Sequence, residues 1–391
     1  MEFKEIALAL GIETYPEELE AVYKKLPEYK VNIFDEELIT QLQEDYNTFD
    51  VYYDAVIAAV RDMKNDPIRT AWTETVATYI QSVGMPEIRK VPYPATNGTP
   101  AGDMLPMLAL IPMIPKSIED YRRRGISEEV VQSCVKPYGR CVKATFDRTG
   151  ILGLNQLYFN WLAIYAKTLI FNIAGFNFEL KKFPDYVIAL KNKESNKLVL
   201  LPTHSTVHKS GLILGTAGYE DADGSFEAVL RETDDGYYGC PVENCRITNK
   251  IEYYPKAQWE CVLRPGDDVV NLHIPKGADL TPENVMASLN TGLTLAKEYF
   301  PDYSVKALLC VSWLLEPQIG DLMGSSSKIA GFGNMFHRFP IVSNGKAIFN
   351  FVFIGQYPDY ESLPEDTRMQ RVFKKLYMDG GYIHHFGGII I

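Results

Sequence analysis

The segment from Leu263 to Pro317 constrains the fold of this chain more than any other. It reads as a strand, a glycine-containing loop, an amphipathic helix and a second strand, written LRPGDDVVNLHIP, KGAD, LTPENVMASLNTGLTLAKEYF and a stretch ending in CVSWLLEP. A helix N-terminus that follows such a loop presents backbone N–H groups and the positive end of the helix dipole to an anion. The segment therefore predicts a place where the phosphates of a cofactor can be held.

The loop before the helix offers two interpretations. In the first, the turn amides of residues 276–278 and the helix dipole receive a pyrophosphate, Lys276 adds a positive charge, and Thr281 is a favoured N-cap. In the second, the segment is only a capped helix after an edge turn. Asp279 and Glu283 support that second interpretation, because they place negative charge where the anion would sit.

Polar side chains stand at the ends of both strands of this segment. Alternation puts His273 on the partly polar face of the first strand, and the second strand ends in Ser312-Trp313-Leu314-Leu315-Glu316. Two adjacent strand ends with these groups predict a cleft that holds a base and hydrogen-bonding groups. The alternative is structural, with Trp313 as a core anchor and Glu316 marking the next helix.

The periodicity of the chain changes once. Up to about residue 167 the pattern is helical, with a helix over 50–64, a second one opened by Pro67, a proline-rich irregular connection over 91–115, and further helices. Short β-rich runs follow, and Asn344-Gly345 predicts a hairpin between residues 336 and 354. We therefore predict an all-helical domain over 1–150 and a sheet-containing domain over 151–391.

Composition excludes several classes of protein. The 391 residues carry 39 Lys and Arg against 50 Asp and Glu, a formal charge of -11 that argues against a nucleic acid partner. The longest apolar run, 104–114, is too short and too rich in proline to span a membrane, and residues 1–20 do not read as a secretion signal. We expect a soluble, cytoplasmic protein. Cys240 and Cys245 could ligate zinc, but a second ligand pair is missing; His204 and His208 lie in a strand-and-turn pattern without the following Glu of a metalloprotease helix, and His384 and His385 project to opposite faces, so no metal is expected.

Three stretches of the chain resemble a known family. HIPKGADLTPENV, CVSWLLEPQI and LPEDTRMQRVFKKLYMDGGYI are similar to hallmark segments of bacterial GNAT-like acyltransferase-domain proteins, and the likeness extends over roughly residues 120–391. The resemblance implies an α+β fold, in which a helical N-acyltransferase-type N-terminal domain packs on a GNAT-like mixed sheet with flanking helices. It also implies that the sheet splays between its fourth strand, 268–274, and its fifth, 305–311, so that acyl-CoA enters the gap.

The resemblance implies roles for single residues. Acyl-CoA or acetyl-CoA would be the co-substrate. The residues expected to bind it are Ile274, Lys276, Gly277, Ala278, Thr281 and Trp313. His273 or Glu316 would remove a proton from a small amine or hydroxyl acceptor, which then attacks the thioester directly, and Ser312 would orient that acceptor.

Two other functions are compatible with the sequence. The usual pyrophosphate loop of the family has Gln or Arg first and Gly or Ala last, where this chain has Ile274 and Asp279. That difference favours a non-catalytic GNAT-like module that binds a ligand or regulates a partner. Transfer of an aminoacyl group from tRNA fits the architecture, but the charge of -11 argues against it.

Overall fold

The computed structural model describes residues 1–29, 31–355 and 357–391 and divides into two compact units, Met1–Asn172 and Ile173–Ile391. The first unit is helical. Its helices are α1 (Phe3–Ala9), α2 (Glu18–Lys24), α3 (Glu36–Tyr46), α4 (Tyr53–Met63), α5 (Pro67–Ser82), α6 (Met85–Ile88), α7 (Pro100–Leu110), α8 (Ile114–Arg123), α9 (Glu128–Val135), α10 (Pro137–Thr149) and α11 (Gln156–Ala166). Single 3₁₀ turns lie at Leu26–Glu28, Asp50–Tyr52 and Ile111–Met113.

Prolines start helices in this unit more often than they interrupt them. The predicted irregular connection over 91–115 is wrong for its second half, which forms α7, a 3₁₀ turn and the start of α8. Pro100 follows the Thr99 cap, whose hydroxyl accepts a hydrogen bond from the N–H of Gly102. Proline is favoured in the first turn of a helix because the N–H that it lacks has no partner there in any case. The density of prolines thus marks successive helix starts.

The division between the units lies later in the chain than residue 150. Helix α11, which follows that point, contacts α6, α7, α8 and α10 and so belongs to the helical unit. Its N-cap is Asn155, whose side chain accepts from the N–H of Tyr158. Phe159 and Leu162 of α11 are fully buried. The change of periodicity near residue 168 is a better guide to the division than the helix boundary at 150.

The second unit contains a mixed β-sheet with flanking helices, as the predicted α+β fold requires. Its strands are β2 (Phe176–Lys182), β3 (Val187–Asn192), β4 (Leu198–Pro202), β5 (Thr206–Val207), β6 (Phe226–Glu227), β7 (Leu230–Glu232), β8 (Gly236–Gly239), β9 (Val242–Glu243), β10 (Arg246–Ile247), β11 (Glu252–Pro255), β12 (Trp259–Leu263), β13 (Asp268–His273), β14 (Ala307–Ser312), β15 (His337–Pro340) and β16 (Phe386–Ile390), and β1 (Ile170–Ile173) straddles the division. Its helices are α12 (Pro282–Tyr299), α13 (Ile319–Met323), α14 (Lys328–Asn334), α15 (Ile348–Phe351) and α16 (Arg368–Met378), with a 3₁₀ turn at Trp313–Leu315.

A central sheet organises this unit. The strands that lie wholly within the unit follow the order β2–β13–β14–β16–β15, with β13 and β14 parallel and the other neighbours antiparallel. A second sheet, in the order β12–β3–β4, shares a buried apolar cluster with it. Leu309 and Phe339 of the central sheet and Ala189 and Leu200 of the second sheet belong to this cluster. Alternating strand residues thus build one core from two sheets.

The predicted hairpin around Asn344-Gly345 is wrong. The turn itself forms, since Gly345 has φ +67° and the side chain of Asn344 accepts from the N–H of Lys346. However, β15 pairs with β16, the last strand of the chain, and the expected return strand is the short helix α15. Ile348 and Phe353 are fully buried there. An Asn-Gly turn determines local chain reversal, while the partner of a strand is chosen by tertiary burial.

Helix α12 lies against one face of the central sheet through a glycine. A Cβ atom at Gly292 would lie 2.2 Å from the ring of Phe178 on β2, and the hydroxyl of Ser288 donates to the carbonyl oxygen of Ala174. A side chain at position 292 would therefore move the helix or the ring. Since Phe178 and Glu179 alternate along β2, Glu179 lies on the face opposite α12.

We expect Gly292→Ala to be less stable than Gly331→Ala by about 1–3 kcal/mol, the usual cost of overpacking. Both glycines are in helices, so the gain in helix propensity is common to the two variants. At Gly331 a Cβ atom meets nothing closer than Pro282, at 4.0 Å. Urea unfolding of the two variants measures the difference. Equal free energies of unfolding would show that the helix can shift away from Phe178 without loss.

Candidate active site

The two parallel strands of the central sheet separate at their C-terminal ends. Their register comprises Val269↔Ala307, Val270↔Leu308 and Asn271↔Leu309. Beyond these pairs β13 continues to pair with β2 as far as His273, and β14 continues to pair with β16 as far as Ser312. The facing backbone edges are thereby left outside the ladder, and a gap between the two strands begins just after Asn271. The splay implied by the family resemblance is present in the structure.

Three polar side chains form a hydrogen-bonded group at the start of this gap. His273 Nε2 lies 2.8 Å from Glu179 Oε2, and Asn271 Nδ2 donates to the same oxygen over 2.9 Å. The group is positioned by the sheet register, because Glu179 of β2 is directly opposite Asn271 of β13. Glu179 and Asn271 are buried, while the His273 side chain is 31% exposed.

The Glu179 carboxyl group is ionised in this environment. Burial by itself raises its pKa, but the hydrogen bond and charge of His273, with smaller contributions from Lys181 and Asn271, lower the pKa to about 2. Sequence reasoning identified His273 and missed Glu179 and Asn271. A glutamate within the otherwise apolar run FNFEL was a usable signal, although only the strand pairing shows that it faces His273.

The side-chain oxygen of Asn271 has no hydrogen-bond partner among the described residues. Its Oδ1 is buried and accepts no hydrogen bond from the described part of the chain. An unsatisfied buried acceptor is costly, by about 1–3 kcal/mol. Asn271 is also the last residue of β13 that pairs with β14. An N–H or O–H donor of a ligand entering the gap would remove this cost.

The loop after β13 is shaped by its own hydrogen bonds. Gly277 adopts φ +85°, and the N–H of Ala278 closes a turn onto the carbonyl of Pro275 over 3.1 Å. Thr281 occupies the N-cap position of α12, but its side chain does not cap the helix. Instead, Asp279 accepts from both the N–H and the hydroxyl of Thr281, at 3.1 and 3.0 Å. The sequence prediction placed Thr281 correctly and assigned it the wrong hydrogen bond.

The negative charge of Asp279 is compensated within the loop region. The N–H of Thr281 and the ammonium group of Lys328, 3.2 Å away, lower the pKa of the Asp279 carboxyl group. Lys328 opens helix α14, which contacts α12. Lys276, Gly277 and the first residues of α12 remain exposed. The Asp279 carboxylate, which in the sequence argues against an anion, therefore forms an ion pair with Lys328. The sequence pattern did not connect this lysine to the loop.

Two of the residues predicted at the end of β14 have structural contacts. Ser312 Oγ accepts from the N–H of Leu314 and caps the 3₁₀ turn. Trp313 is buried, and its ring lies edge-on to Phe373 of α16 with 5.9 Å between ring centroids. The core-anchor interpretation describes this tryptophan better than a cofactor contact.

Glu316 belongs to a separate buried group. Its Oε2 accepts from the backbone N–H of His384 over 2.9 Å and lies 2.9 Å from the Nδ1 of the same residue, whose Nε2 lies 2.9 Å from the carbonyl oxygen of Ala217. The side chains of Glu316 and His384 are 3% and 6% exposed. Glu316, a candidate base from the sequence, is thus buried and hydrogen-bonded to a histidine 68 positions later in the chain.

The stability contributed by Glu179 should depend on pH. Because its pKa is about 2 in the folded chain and 4.5 when unperturbed, the ionised form stabilises the fold above pH 4.5, and this contribution is lost as the pH falls through 2. The full contribution is about 3 kcal/mol, of which about 2 kcal/mol should disappear between about pH 6 and about pH 3.

Unfolding of wild type and Glu179→Gln by urea across this range measures the effect. We expect the free energies of unfolding of the two proteins to converge as the pH falls. The same substitution at the exposed Glu243 is the control and should leave the pH dependence unchanged. A difference between wild type and Glu179→Gln that is constant over the whole range would contradict the assigned ionisation of Glu179.

Within the described residues, no group of three or more His, Cys, Asp or Glu side chains is arranged to hold a metal ion. The cysteines are free thiols, and His208 bonds to Ser210. The described part of the chain also contains no helix with the length and apolar character needed to cross a bilayer.

Comparison with known proteins gives matches to both units. The N-acyltransferase N-terminal domain matches residues 37–167, and the GNAT-like C-terminal domain matches residues 170–390. None of the curated proteins matches the sequence at a significant level.

Solved structures of acyltransferases share the fold. An acyltransferase mutant in complex with octanoyl-CoA is 16% identical with a TM-score of 0.67, and the likeness covers 100% of this chain and 99% of that one. An acyltransferase in complex with decanoyl-CoA and teicoplanin is 17% identical, with the same TM-score and coverage. At such identities the likeness is one of fold, and it extends over both units. Because the GNAT-like C-terminal domain model matches more than half of its residues, the chain belongs to the family of proteins with that domain, here preceded by an N-acyltransferase N-terminal domain.

Proposed function

We propose that the chain is an acyl-CoA-dependent acyltransferase that transfers the acyl group to an amine or hydroxyl of a small-molecule acceptor. The observation that carries the proposal is the gap between β13 and β14, which opens directly beside the group of Glu179, Asn271 and His273. Such a gap can take an extended ligand between two strand edges, and the buried Oδ1 of Asn271 offers it an unsatisfied acceptor.

The loop and the first turn of α12 would hold the pyrophosphate of CoA. Ile274, Gly277, Ala278 and Thr281 contribute backbone to this region, and the left-handed conformation of Gly277 allows close approach of an anion. Lys276 adds an exposed positive charge. Asp279 does not oppose binding, because its carboxylate is engaged by Thr281 and Lys328.

His273 is the general base in this proposal. Its partly exposed ring lies at the mouth of the gap, whereas Glu316 is buried against His384. The base removes a proton from the acceptor, the acceptor attacks the thioester carbonyl, and the C–S bond breaks as the new C–N or C–O bond forms. Backbone N–H groups on the separated strand edges would polarise the carbonyl oxygen. Ser312 lies at the end of the opposite strand, where its hydroxyl could orient the acceptor.

Isothermal titration with CoA, acetyl-CoA, octanoyl-CoA and decanoyl-CoA is the first test. The longer thioesters are included because two of the structurally similar acyltransferases are bound to octanoyl-CoA and decanoyl-CoA. Release of free thiol in the presence of a panel of amines and alcohols is the second. We expect saturable binding at micromolar to millimolar concentrations and acceptor-dependent thiol release.

Charge reversal in the loop provides a matched control. Lys276→Glu should weaken binding of every CoA compound by about tenfold or more, since it puts a negative charge beside the pyrophosphate. Lys197→Glu makes the same change at an exposed lysine before β4 and should bind like wild type. Absence of binding at millimolar CoA would overturn the proposal. Binding without thiol release would assign the chain to the non-catalytic module instead.

A further inference from the structure

The two polar ends of the Asn271 side chain are directed to different sides of its strand. Its Nδ2 donates to Glu179 Oε2 over 2.9 Å, and Glu179 lies directly opposite on the neighbouring strand β2. The oxygen and nitrogen of an amide group point in different directions, so Oδ1 points away from Glu179. The neighbour of Asn271 on the other side is Leu309 of β14, and this pair is the last before the two strands separate. The oxygen is therefore directed to the closed end of the gap.

This oxygen is a buried acceptor without a donor. Asn271 is 5% exposed, and no N–H or O–H group of the described residues reaches its Oδ1. Nearly all buried polar groups in proteins have a hydrogen-bond partner, so an exception requires an explanation. Solvent does not reach the atom, so the donor has to arrive with a ligand that enters the gap. A small movement of side chains at the closed end accompanies this entry, as is common on binding.

Two reactants meet at the level of Asn271 in the proposed function. If the pyrophosphate of acyl-CoA is held at Lys276, the chain from there back to Asn271 spans at most about 16 Å, at about 3.3 Å per residue. The arm between the pyrophosphate and the sulfur has a similar extended length, since it is a chain of about a dozen single bonds of about 1.5 Å each. The thioester therefore reaches the closed end of the gap, and the attacking atom of the acceptor has to meet it there.

The acceptor is better placed than the arm of acyl-CoA to donate to Oδ1. An extended arm lies between the two strand edges, in the plane of the sheet, where its amide N–H groups meet unpaired backbone carbonyls. The Asn271 side chain stands off this plane, on the same face as His273. The acceptor approaches from that face, because the proposed base lies on it. The thioester group itself has no hydrogen to donate.

We propose that Asn271 selects the acceptor of this chain, because its Oδ1 accepts the N–H that stays on the attacking nitrogen and so favours primary amines over secondary amines and hydroxyls. The inference rests on the proposed function. A neutral primary amine carries two hydrogens, one for whichever group takes the proton and one for Asn271. A hydroxyl or a neutral secondary amine carries a single hydrogen, which the base removes. With either of these acceptors, Oδ1 stays without a donor during the reaction.

The atoms and electrons of the step balance. The lone pair of the nitrogen forms the C–N bond to the acyl carbon, and the C–S bond breaks with its electron pair on sulfur. One proton passes from the nitrogen to the base and then to the thiolate, which leaves as CoA. The other hydrogen stays on the nitrogen and becomes the N–H of the amide product. The hydrogen bond to Oδ1 is therefore kept from the attack to the product.

Thiol release from acetyl-CoA and octanoyl-CoA measures this preference with three matched acceptors, namely benzylamine, N-methylbenzylamine and benzyl alcohol. We expect kcat/KM of the wild type to favour benzylamine over its N-methyl derivative by about 5- to 150-fold, which is the cost of an unsatisfied buried acceptor, about 1–3 kcal/mol, converted at about 1.4 kcal/mol per tenfold. Asn271→Leu has a similar size without the oxygen and should lower this ratio by at least about fivefold. Differences in reactivity between the acceptors cancel, because the same ratio is compared between proteins.

The matched control is Asn290→Leu, which makes the same change at an exposed position of α12 and should keep the wild-type ratio. Circular dichroism confirms that the variants are folded. Asn271→Ala, which also removes the oxygen and leaves more room, replaces Asn271→Leu if the larger side chain prevents folding.

Binding of the products gives a measurement that needs no turnover. N-benzylacetamide retains the N–H, whereas N-benzyl-N-methylacetamide and benzyl acetate have none. In isothermal titration of the protein saturated with CoA, we expect the first compound to bind at least about fivefold more tightly than the other two. The difference should disappear in Asn271→Leu.

The outcomes separate the two proposals. Absence of CoA binding overturns the proposed function, and the role of Asn271 fails with it. If CoA binds, a wild type that shows no preference among the acceptors or among the products overturns the role of Asn271 alone. Weaker binding of CoA in Asn271→Leu with an unchanged preference among the acceptors would assign Oδ1 to the arm of acyl-CoA, which also overturns it.

Discussion

Replacing His384 with alanine is expected to lower the free energy of unfolding by about 2–5 kcal/mol, since the change removes a large buried side chain and leaves buried polar atoms without a partner. The two nitrogens of the ring face acceptors only, namely Glu316 Oε2 and the carbonyl oxygen of Ala217, each at 2.9 Å. Removal of the ring would leave the carbonyl oxygen of Ala217 and the buried Glu316 carboxyl group without their side-chain partner and would open a cavity in the core.

The same hydrogen-bonded pair joins segments that are far apart in the sequence. Ala217 lies in the loop between β5 and β6, Glu316 follows β14, and His384 precedes β16. Nearby, Ser343 accepts from the N–H of Ala217 through its carbonyl oxygen and from the N–H of His385 through its hydroxyl. Loss of the ring should thus loosen a junction of several loops as well as one pair.

A double-mutant cycle separates the pair from its surroundings. We expect His384→Ala and Glu316→Gln to be individually destabilising, and the double variant to be less destabilised than their sum by about 0.5–3 kcal/mol. Urea unfolding measures all three free energies. Lys250→Ala, which breaks the exposed pair with Glu252, is the control and should cost less than about 1 kcal/mol. If His384→Ala cost no more than this control, the buried pair would have no structural role.

Replacing His273 with alanine is expected to lower kcat/KM for acceptor-dependent thiol release by about 10²–10⁴-fold, the range typical of a general base. His273 lies at the end of β13, where this strand separates from β14 and where the side chain remains 31% exposed. The binding of CoA should be retained, because the loop and the first turn of α12 are unchanged. A loss in turnover without a loss in binding is the signature of a group that acts on the reacting atoms.

His204→Ala is the matched control for this experiment. His204 is an exposed histidine in the same unit and should behave as wild type in both binding and turnover. If His273→Ala kept its turnover within about fivefold of wild type, another group would have to remove the proton. Ser312, at the end of the opposite strand, would then be the next position to change.

Local sequence signals were sufficient where a structure depends on neighbours along the chain. The helices α4 and α5, with Pro67 at the first position of the second one, follow from apolar spacing and from the preference of proline for a first helical turn. The succession of β13, loop, α12 and β14 follows in the same way. The prolines in the second half of 91–115 predict an irregular connection but in fact lie mostly at helix starts. Proline is common both where a helix begins and where it is interrupted, so its presence alone does not distinguish the two.

Contacts between distant segments could not be obtained from such signals. Glu179 and His273 are 94 positions apart, and Glu316 and His384 are 68 apart. The strand β15 likewise takes its partner from the C-terminus and not from the residues after its own turn. A short stretch of sequence does not show which distant strand or side chain it will pair with, because many segments have the same local preference for a strand or a buried polar group.

The sequence by itself determined the change from a helical to a sheet-containing region, the strand–loop–helix–strand segment, and His273 at the end of its first strand, because hydrophobic periodicity, capping and turn preferences act over a few residues. The tertiary structure alone decided which carboxylate each histidine faces, which lysine compensates Asp279, and where two parallel strands separate. Strand register and burial bring those groups together, and both are properties of the whole fold.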